Sequence, residues 1–497
     1  MRRSFRRLAV LACVFALLGA TVPVATAAPP AACANRVNNT LQKLLECVDV
    51  SGVREHQAAF QAIADANGGI RTSGTPGYDA SADYVVERME AAGYEVSVQE
   101  FEFQAFINLA PAILEQVAPA PGGPIENSIT SYSGSGDVTA PVTHIGPPDA
   151  TPGCEAADFA GFPAGNIALI SRGACTFAIK ATNAFNGGAA GVVIYNNAPG
   201  APAFTLGEAF TLNIPVTGVT QEVGQQLAAT AGLVLHLETS TFRGIATTSN
   251  VFAEKEGKNA DNVVMAGGHL DSVDAGPGIN DNGSGSAALL EVAEMMAKVK
   301  PQNTLRFAWW GAEESGLVGS NRYVASLSQA ERDEIALYLN FDMVGSPNHV
   351  FFIYDGDNSD GVGAPAGPPG SDLIEKKFEE FFDSRGITYK GTDFSGRSDY
   401  GPFIAVGIPS GGLFTGAEGI KTAEEAANPD WGGVAGEQYD QCYHEVCDTL
   451  GNVNLFALDT NSDAIAYATL SYAMSTEEID GTKSKGNFQP EEVIPAA

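Results

Sequence analysis

Asn262-Val263-Val264-Met265-Ala266-Gly267-Gly268-His269-Leu270-Asp271 is the stretch that decides the fold. It begins as an apolar run of strand length and stops on an imidazole and a carboxylate. Further runs repeat the design: Thr304 to Trp310 leads into Gly311-Ala312-Glu313-Glu314, Leu337 to Phe341 leads into Asp342, and Val350 to Tyr354 follows. Between the first two, Ser286 to Val299 carries Leu289, Leu290, Val292, Ala293 and Met296 at helical spacing. Continuous apolar strands alternating with helices imply an α/β fold, its central sheet mainly parallel and covered by helices on both faces. In such sheets ligands bind beyond the carboxyl ends of the strands, so every acid or imidazole ending a strand reaches one common rim.

Outward from this core the chain changes character. Ala58 to Ala66 and Ala80 to Ala92 read as helices stopped by Gly68-Gly69 and Gly93, and Tyr94 to Phe103 alternates as a strand does. From Ala105 to Arg243 the chain is rich in Gly, Pro, Ala and Thr, with β-like runs at Ile167 to Ile170, Gly191 to Tyr195 and Ile214 to Val219 and a helical run at Thr176 to Asn186. A chain of 497 residues exceeds the ~250 to 300 at which one core stops growing. The expected division is a leader at 1–28, a discontinuous main domain at 29–104 and 246–474, an inserted β-rich α+β domain at 105–245, and a polar tail at 475–497.

The leader reading rests on a basic head of Arg2, Arg3, Arg6 and Arg7, an apolar run from Leu8 to Leu18 too short to span a bilayer, and a small-x-small cleavage site at Ala25-Thr26-Ala27. It predicts secretion, and the absence of any later long apolar run predicts no membrane span. The six remaining cysteines fall into three neighbouring couples, which suggests Cys33 with Cys47, Cys154 with Cys175, and Cys442 with Cys447. With 44% hydrophobic and 17% charged residues the chain is globular rather than disordered, and its net charge of −32 argues against nucleic acid and anionic lipid as partners.

The chemistry-bearing residues gather at the strand ends. His269, Asp281 in the loop Gly278 to Gly285, Glu314, Asp342 and the distant His444 form the set, with Asp271 and Glu313 beside them. Two imidazoles and three carboxylates suit two divalent cations of zinc type with one carboxylate shared between them. The carboxylates need cations in turn, because three of them crowded at one dry rim would repel each other.

His269-Leu270-Asp271-Ser272, the Gly278 to Gly285 loop, Ala308-Trp309-Trp310-Gly311-Ala312-Glu313-Glu314, Asn340-Phe341-Asp342-Met343 and Cys442-Tyr443-His444 together resemble the signature segments of the secreted two-zinc aminopeptidases, most of all the Streptomyces-type leucine aminopeptidase. The inserted segment resembles a protease-associated domain. The resemblance implies one zinc on His269 and Asp342, a second on Glu314 and His444, and Asp281 bridging. It implies Glu313 as general base, Tyr443 as donor to the oxyanion, and Asp271 as the acid that fixes the His269 tautomer. Recognition of the substrate amino group falls to Glu313, Asp342 and the backbone carbonyl of Arg397, with Met343 and Phe414 as walls for an apolar first side chain. Asp49, Asp459, Asp463 and the carbonyl of Val50 resemble a calcium site. The substrates implied are peptides with a free N-terminus, and the expected state is a monomer.

Other readings are a carboxypeptidase or amidohydrolase of the same fold, or a non-catalytic peptide-binding protein. A carboxypeptidase would call for several arginines at the rim, where Arg397 alone stands out, and no Gly-x-Ser-x-Gly elbow supports a serine hydrolase.

Overall fold

The computed structural model describes residues 33, 35–147, 149–198, 204–363 and 365–482. The leader expected at 1–28 and the tail beyond residue 482 lie outside the described residues. At the centre of the main sheet the Asn259–His269 strand runs parallel to Asn303–Trp310 on one side and to Ile335–Phe341 on the other. Ser410–Phe414 continues the parallel order next to Ile335–Phe341. The margins reverse direction: Phe352–Tyr354 is antiparallel to Ser410–Phe414, and Val234–Lys255 is antiparallel to Asn303–Trp310.

Side-chain alternation along these strands builds a separate apolar layer on each face. Val264, Ala266, Leu305, Phe307, Trp309, Leu337 and Leu339 face the helices Val50–Ala66, Pro76–Ala92, Gly283–Met296, Ser371–Arg385 and Leu455–Met474. Val263, Met265, Ala308, Trp310 and Tyr338 face the opposite way and meet Tyr323 and Phe403 from the helices Val318–Ser326 and Gly401–Ala405. Burial on both faces explains why the strands read as unbroken apolar runs.

The strand expected to stop at Phe103 instead runs from Glu95 to Ala118. It pairs with Val234–Lys255 as one long antiparallel ribbon, from Glu95 opposite Glu254 to Ala118 opposite Val234. Phe103, Ala105 and Ile107 stay buried against Ala312 near its middle, and register shifts between Asn108 and Ile113 bend it further out. At its far end Gly136–Ile145, Ile167–Ser171, Gly191–Tyr195 and Val216–Val219 form a parallel ladder with the helices Phe177–Asn186 and Gln221–Ala229. Thr176 is the cap of the first of these helices rather than its first turn, its side chain accepting from the Ile179 amide. Disulfides join Cys33 to Cys47, Cys154 to Cys175, and Cys442 to Cys447.

One feature of the helical layer sets a pH response. Glu291, on the buried Gly283–Met296 helix, is only 2% exposed, and its Oε1 has no hydrogen-bond partner among the described residues. Burial, then the nearby carboxylates of Glu294, Asp49 and Glu55, push its carboxyl up to about 8. The folded chain therefore keeps a proton that the unfolded chain releases at lower pH. Between roughly pH 4.5 and 8 this group lowers stability as pH rises, by about 1.4 kcal/mol per pH unit at most. Glu291→Gln is expected to flatten that part of the melting-temperature profile and to raise the melting temperature most at pH 8. An unchanged slope would show that Glu291 does not carry the response.

Candidate metal centre

Five chain segments deliver their groups to one cleft at the carboxyl ends of the central strands. His269 ends its strand, and its Nε2 lies 3.3 Å from Asp281 Oδ1 and 3.3 Å from Asp342 Oδ1. His444 Nε2 lies 3.2 Å from Asp281 Oδ2 and 3.2 Å from Glu314 Oε2. Asp281 thus presents one oxygen to each imidazole. His269, Asp281 and Asp342 make one group whose ligand atoms lie within 4.8 Å of one another, and Asp281, Glu314 and His444 make a second.

The local sequence explains why these side chains converge. Asn282 caps the Gly283–Met296 helix by accepting from the Gly285 amide, and its Oδ1 also accepts from the Met343 amide while its Nδ2 donates to the Phe341 carbonyl. The residue after Asp281 therefore grips the backbone on both sides of Asp342. Ser286 Oγ donates to the His269 carbonyl at 2.6 Å and ties the first ligand to the same helix. A Cβ on Gly285 would lie 2.2 Å from the Phe341 carbonyl oxygen, so only glycine lets the helix start this close to the strand. The Asp448 carboxylate accepts from the amides of Asn280 and Asp281, at 2.8 and 2.9 Å, one residue beyond the Cys442–Cys447 ring that carries Tyr443 and His444.

The electrostatics are those of an anionic pocket that requires positive charge. Burial would lower the two imidazoles, but Asp342 and Glu313 help raise His269 well above the ordinary histidine range, and Asp281 and Glu314 raise His444 to about 11. Glu314 rises to about 7 through burial and the Asp281 charge, and Glu313 is pushed well above the ordinary glutamate range through burial with Glu314, Asp399 and Asp342 close by. Protons on the imidazoles stand in these positions for the cations that such a donor set attracts. Glu314 Oε1 is buried without a hydrogen-bond partner among the described residues, and so is Asp271 Oδ2. Imidazole and carboxylate donors in two clusters, with a buried ligand oxygen left over, fit a pair of zinc-type ions.

The backbone carbonyl of Asp271, at 3.0 Å, faces His269 Nδ1 more closely than its carboxylate at 3.6 Å, and that carboxylate accepts from the Glu313 amide at 3.2 Å. The cleft is also lined by Met343, Phe414, Arg397, Tyr443 and Glu313. The Arg397 side chain is 73% exposed, and its guanidinium pairs with Glu418 at 3.3 Å on the lip. Behind Asp342 runs a hydrogen-bonded chain that the sequence did not disclose: Ser398 Oγ donates to Asp342 Oδ2 at 2.7 Å, Asn340 Nδ2 donates to Ser398 Oγ, Tyr338 donates to Asn340 Oδ1, and Trp310 Nε1 donates to Tyr338. The alternation of Tyr338 and Asn340 on one face of an apolar strand was its only local trace.

At the candidate calcium site Asp459 Oδ1 accepts from the Val50 amide at 3.2 Å, while Asp49 caps its own helix by accepting from the Ser51 amide at 2.7 Å. Asp463 Oδ2 pairs with Arg385 Nη2 at 3.0 Å, and its other oxygen is not part of that pair.

Residues 250–469 match the model of peptidase family M28, and residues 138–227 match that of the PA domain. The chain is 48% identical over 451 residues to an aminopeptidase of Pseudomonas aeruginosa strain UCBPP-PA14, covering 88% of this chain and 83% of that one. It is 41% identical over 439 residues to leucine aminopeptidase 2 of Trichophyton rubrum, covering 88% and 86%. Its fold is similar to that of a zinc aminopeptidase from Bacillus subtilis, with a TM-score of 0.61, 26% identity, and coverage of 84% and 95%.

Proposed function

Since the chain belongs to peptidase family M28 and carries a PA domain, and is a zinc aminopeptidase, we propose that it works with two zinc ions and releases N-terminal residues, leucine and similar apolar ones preferentially, from peptides outside the cell. The observation that carries the two-metal reading is Asp281, whose two oxygens face His269 and His444 from opposite sides. In this reading His269 and Asp342 hold one ion, Glu314 and His444 hold the other, and Asp281 is shared.

When bound, zinc supplies Lewis acidity toward the scissile carbonyl and lowers the pKa of water. Glu313, beside both clusters, takes a proton from the attacking water and returns it to the leaving amine. The Tyr443 hydroxyl donates to the oxygen where negative charge develops. The substrate ammonium is held by Glu313, Asp342 and the Arg397 carbonyl, and Met343 and Phe414 give the first side chain an apolar wall. Among the described residues lining the cleft Arg397 is the only guanidinium, and Glu418 already engages it, which disfavours recognition of a substrate carboxylate.

The same reading divides the chain into a main domain of 29–104 and 246–474, an insert of 105–245 and a tail of 475–497. Secretion is supported by the disulfides and by the absence, among the described residues, of any helix long and apolar enough to cross a membrane. A calcium ion at Asp49, Val50, Asp459 and Asp463 and a monomeric state complete the proposal.

The test is hydrolysis of leucine p-nitroanilide with parallel metal analysis. Cleavage should stop when the substrate amine is acetylated, stop on chelation and return with zinc, with metal content near two per chain. Cleavage of the amine-blocked substrate would overturn the exopeptidase reading, and full activity at one zinc per chain would overturn the two-metal one.

A further inference from the structure

Arg71 is fully buried, and among the described residues its hydrogen-bond partners are backbone carbonyls and a hydroxyl, with Asp271, Asp448 and Asp281 acting only as nearby charges. Its guanidinium is instead directed at backbone: Nε donates to the Pro277 carbonyl at 2.9 Å, Nη2 to the Gly278 carbonyl at 2.6 Å, and Nη1 to the Leu270 carbonyl. Its own amide donates to Ser272 Oγ at 2.9 Å, and the face of Phe60 lies 5.0 Å from the guanidinium carbon. Those acceptors stand at the two ends of the loop joining His269 to Asp281. Leu270 follows the first ligand directly, and Gly278 makes the left-handed turn, φ +61°, that leads to the second. Burying a guanidinium is costly, and here it secures no ion pair. It fixes the length and direction of one loop.

We propose that Arg71 is a positioning residue for the metal centre, setting the separation of His269 and Asp281 by holding both ends of the loop between them. The inference rests on the reading of Asp281 as the shared ligand. Asp448 acts on the same loop from the other side, through the amides of Asn280 and Asp281. Carbonyls are thus gripped by a cation and amides by an anion, and the ligand carboxylate is left free to face the metals.

A role as plain counter-charge makes the opposite prediction. A cation near Asp271, Asp448 and Asp281 repels zinc, so removing it without geometric consequence would tighten metal binding. Positioning predicts that binding weakens. Lysine, with a point charge in place of a planar fork, cannot reach the three carbonyls together, so Arg71→Lys should resemble Arg71→Met rather than the parent.

The experiment is zinc titration of the full chain against a competing chelator for the parent, Arg71→Met, Arg71→Lys and the milder Ser272→Ala. Absorption spectra of the cobalt-loaded forms report ligand geometry independently of turnover. The expected result is zinc affinity lowered by about ten- to a hundredfold in both Arg71 variants, as for other groups that orient metal ligands, and a smaller loss in Ser272→Ala. The cobalt bands should shift in the same order. Equal or tighter zinc binding with unchanged cobalt spectra, in whichever of the three variants fold, overturns the assignment and leaves the two-metal reading intact. A parent that binds fewer than two zinc ions overturns both.

Discussion

Glu313→Ala is expected to keep its zinc and lose turnover, with kcat falling by about 10²- to 10⁴-fold, the usual worth of a positioned general base. Glu313 sits on the cleft beside Glu314 and lies within 4.8 Å of both Glu314 and His269 by ligand atoms, yet it belongs to neither cluster that shares Asp281. Its backbone is fixed by the Asp271 carboxylate, which accepts from its amide, and by the positive φ of Ala312 before it. The side chain has no hydrogen-bond partner among the described residues and lines the cleft. Burial, with Glu314, Asp399 and Asp342 around it, makes this carboxyl hold a proton more tightly than an exposed glutamate, which suits the proposed carrier between water and leaving amine. Glu313→Gln keeps the shape and removes the basicity, so it should lose nearly as much activity as the alanine variant. Rates and zinc content measured together decide the matter: turnover within about tenfold of the parent in both variants would move proton transfer to another carboxylate. Loss of zinc would make Glu313 a ligand instead.

How far the sequence discloses this arrangement depends on the range over which each feature is determined. His269, Asp342 and the Glu313-Glu314 pair stand at the ends of runs whose periodicity is local, and the rule that ligands bind at strand ends places them on one rim without coordinates. The Glu95–Ala118 ribbon strand is different. Pro111, the register shifts near Asn108 and a largely exposed outer half blur its alternation, and its partner lies more than a hundred residues away. Arg71 was invisible for a related reason. After Gly68-Gly69 it reads as a charged residue in a turn, and only the return of the 270–278 loop buries it. The same holds for Ser398 and Asn340, ordinary polar residues until the Ser410–Phe414 and Ile335–Phe341 strands bring their segments together.

Asp281→Asn should be the most damaging single change for the metals, and its signature is that both ions are affected at once. Two doubly charged ions about 3.5 Å apart repel by on the order of 20 kcal/mol at an effective dielectric near 20. An anion placed between them offsets that repulsion most efficiently, because one charge acts on both ions at the shortest distance. In the two-metal reading Asp281 has that placement, its Oδ1 3.3 Å from His269 Nε2 and its Oδ2 3.2 Å from His444 Nε2, and it lies just before the positive end of the Gly283–Met296 helix. Asparagine retains the volume and one acceptor oxygen but not the charge. Zinc stoichiometry is therefore expected to fall from two to one or below, with zinc affinity reduced by the hundredfold or so that one ligand's share of zinc binding represents. His444→Ala is the informative contrast, because His444 serves one cluster only: the ion on His269 and Asp342 should stay while the other is lost. The comparison is read by metal analysis after dialysis against buffered zinc. If Asp281→Asn releases just one ion while the other keeps its parental affinity, Asp281 is a terminal ligand, and the two clusters are independent sites rather than one binuclear centre.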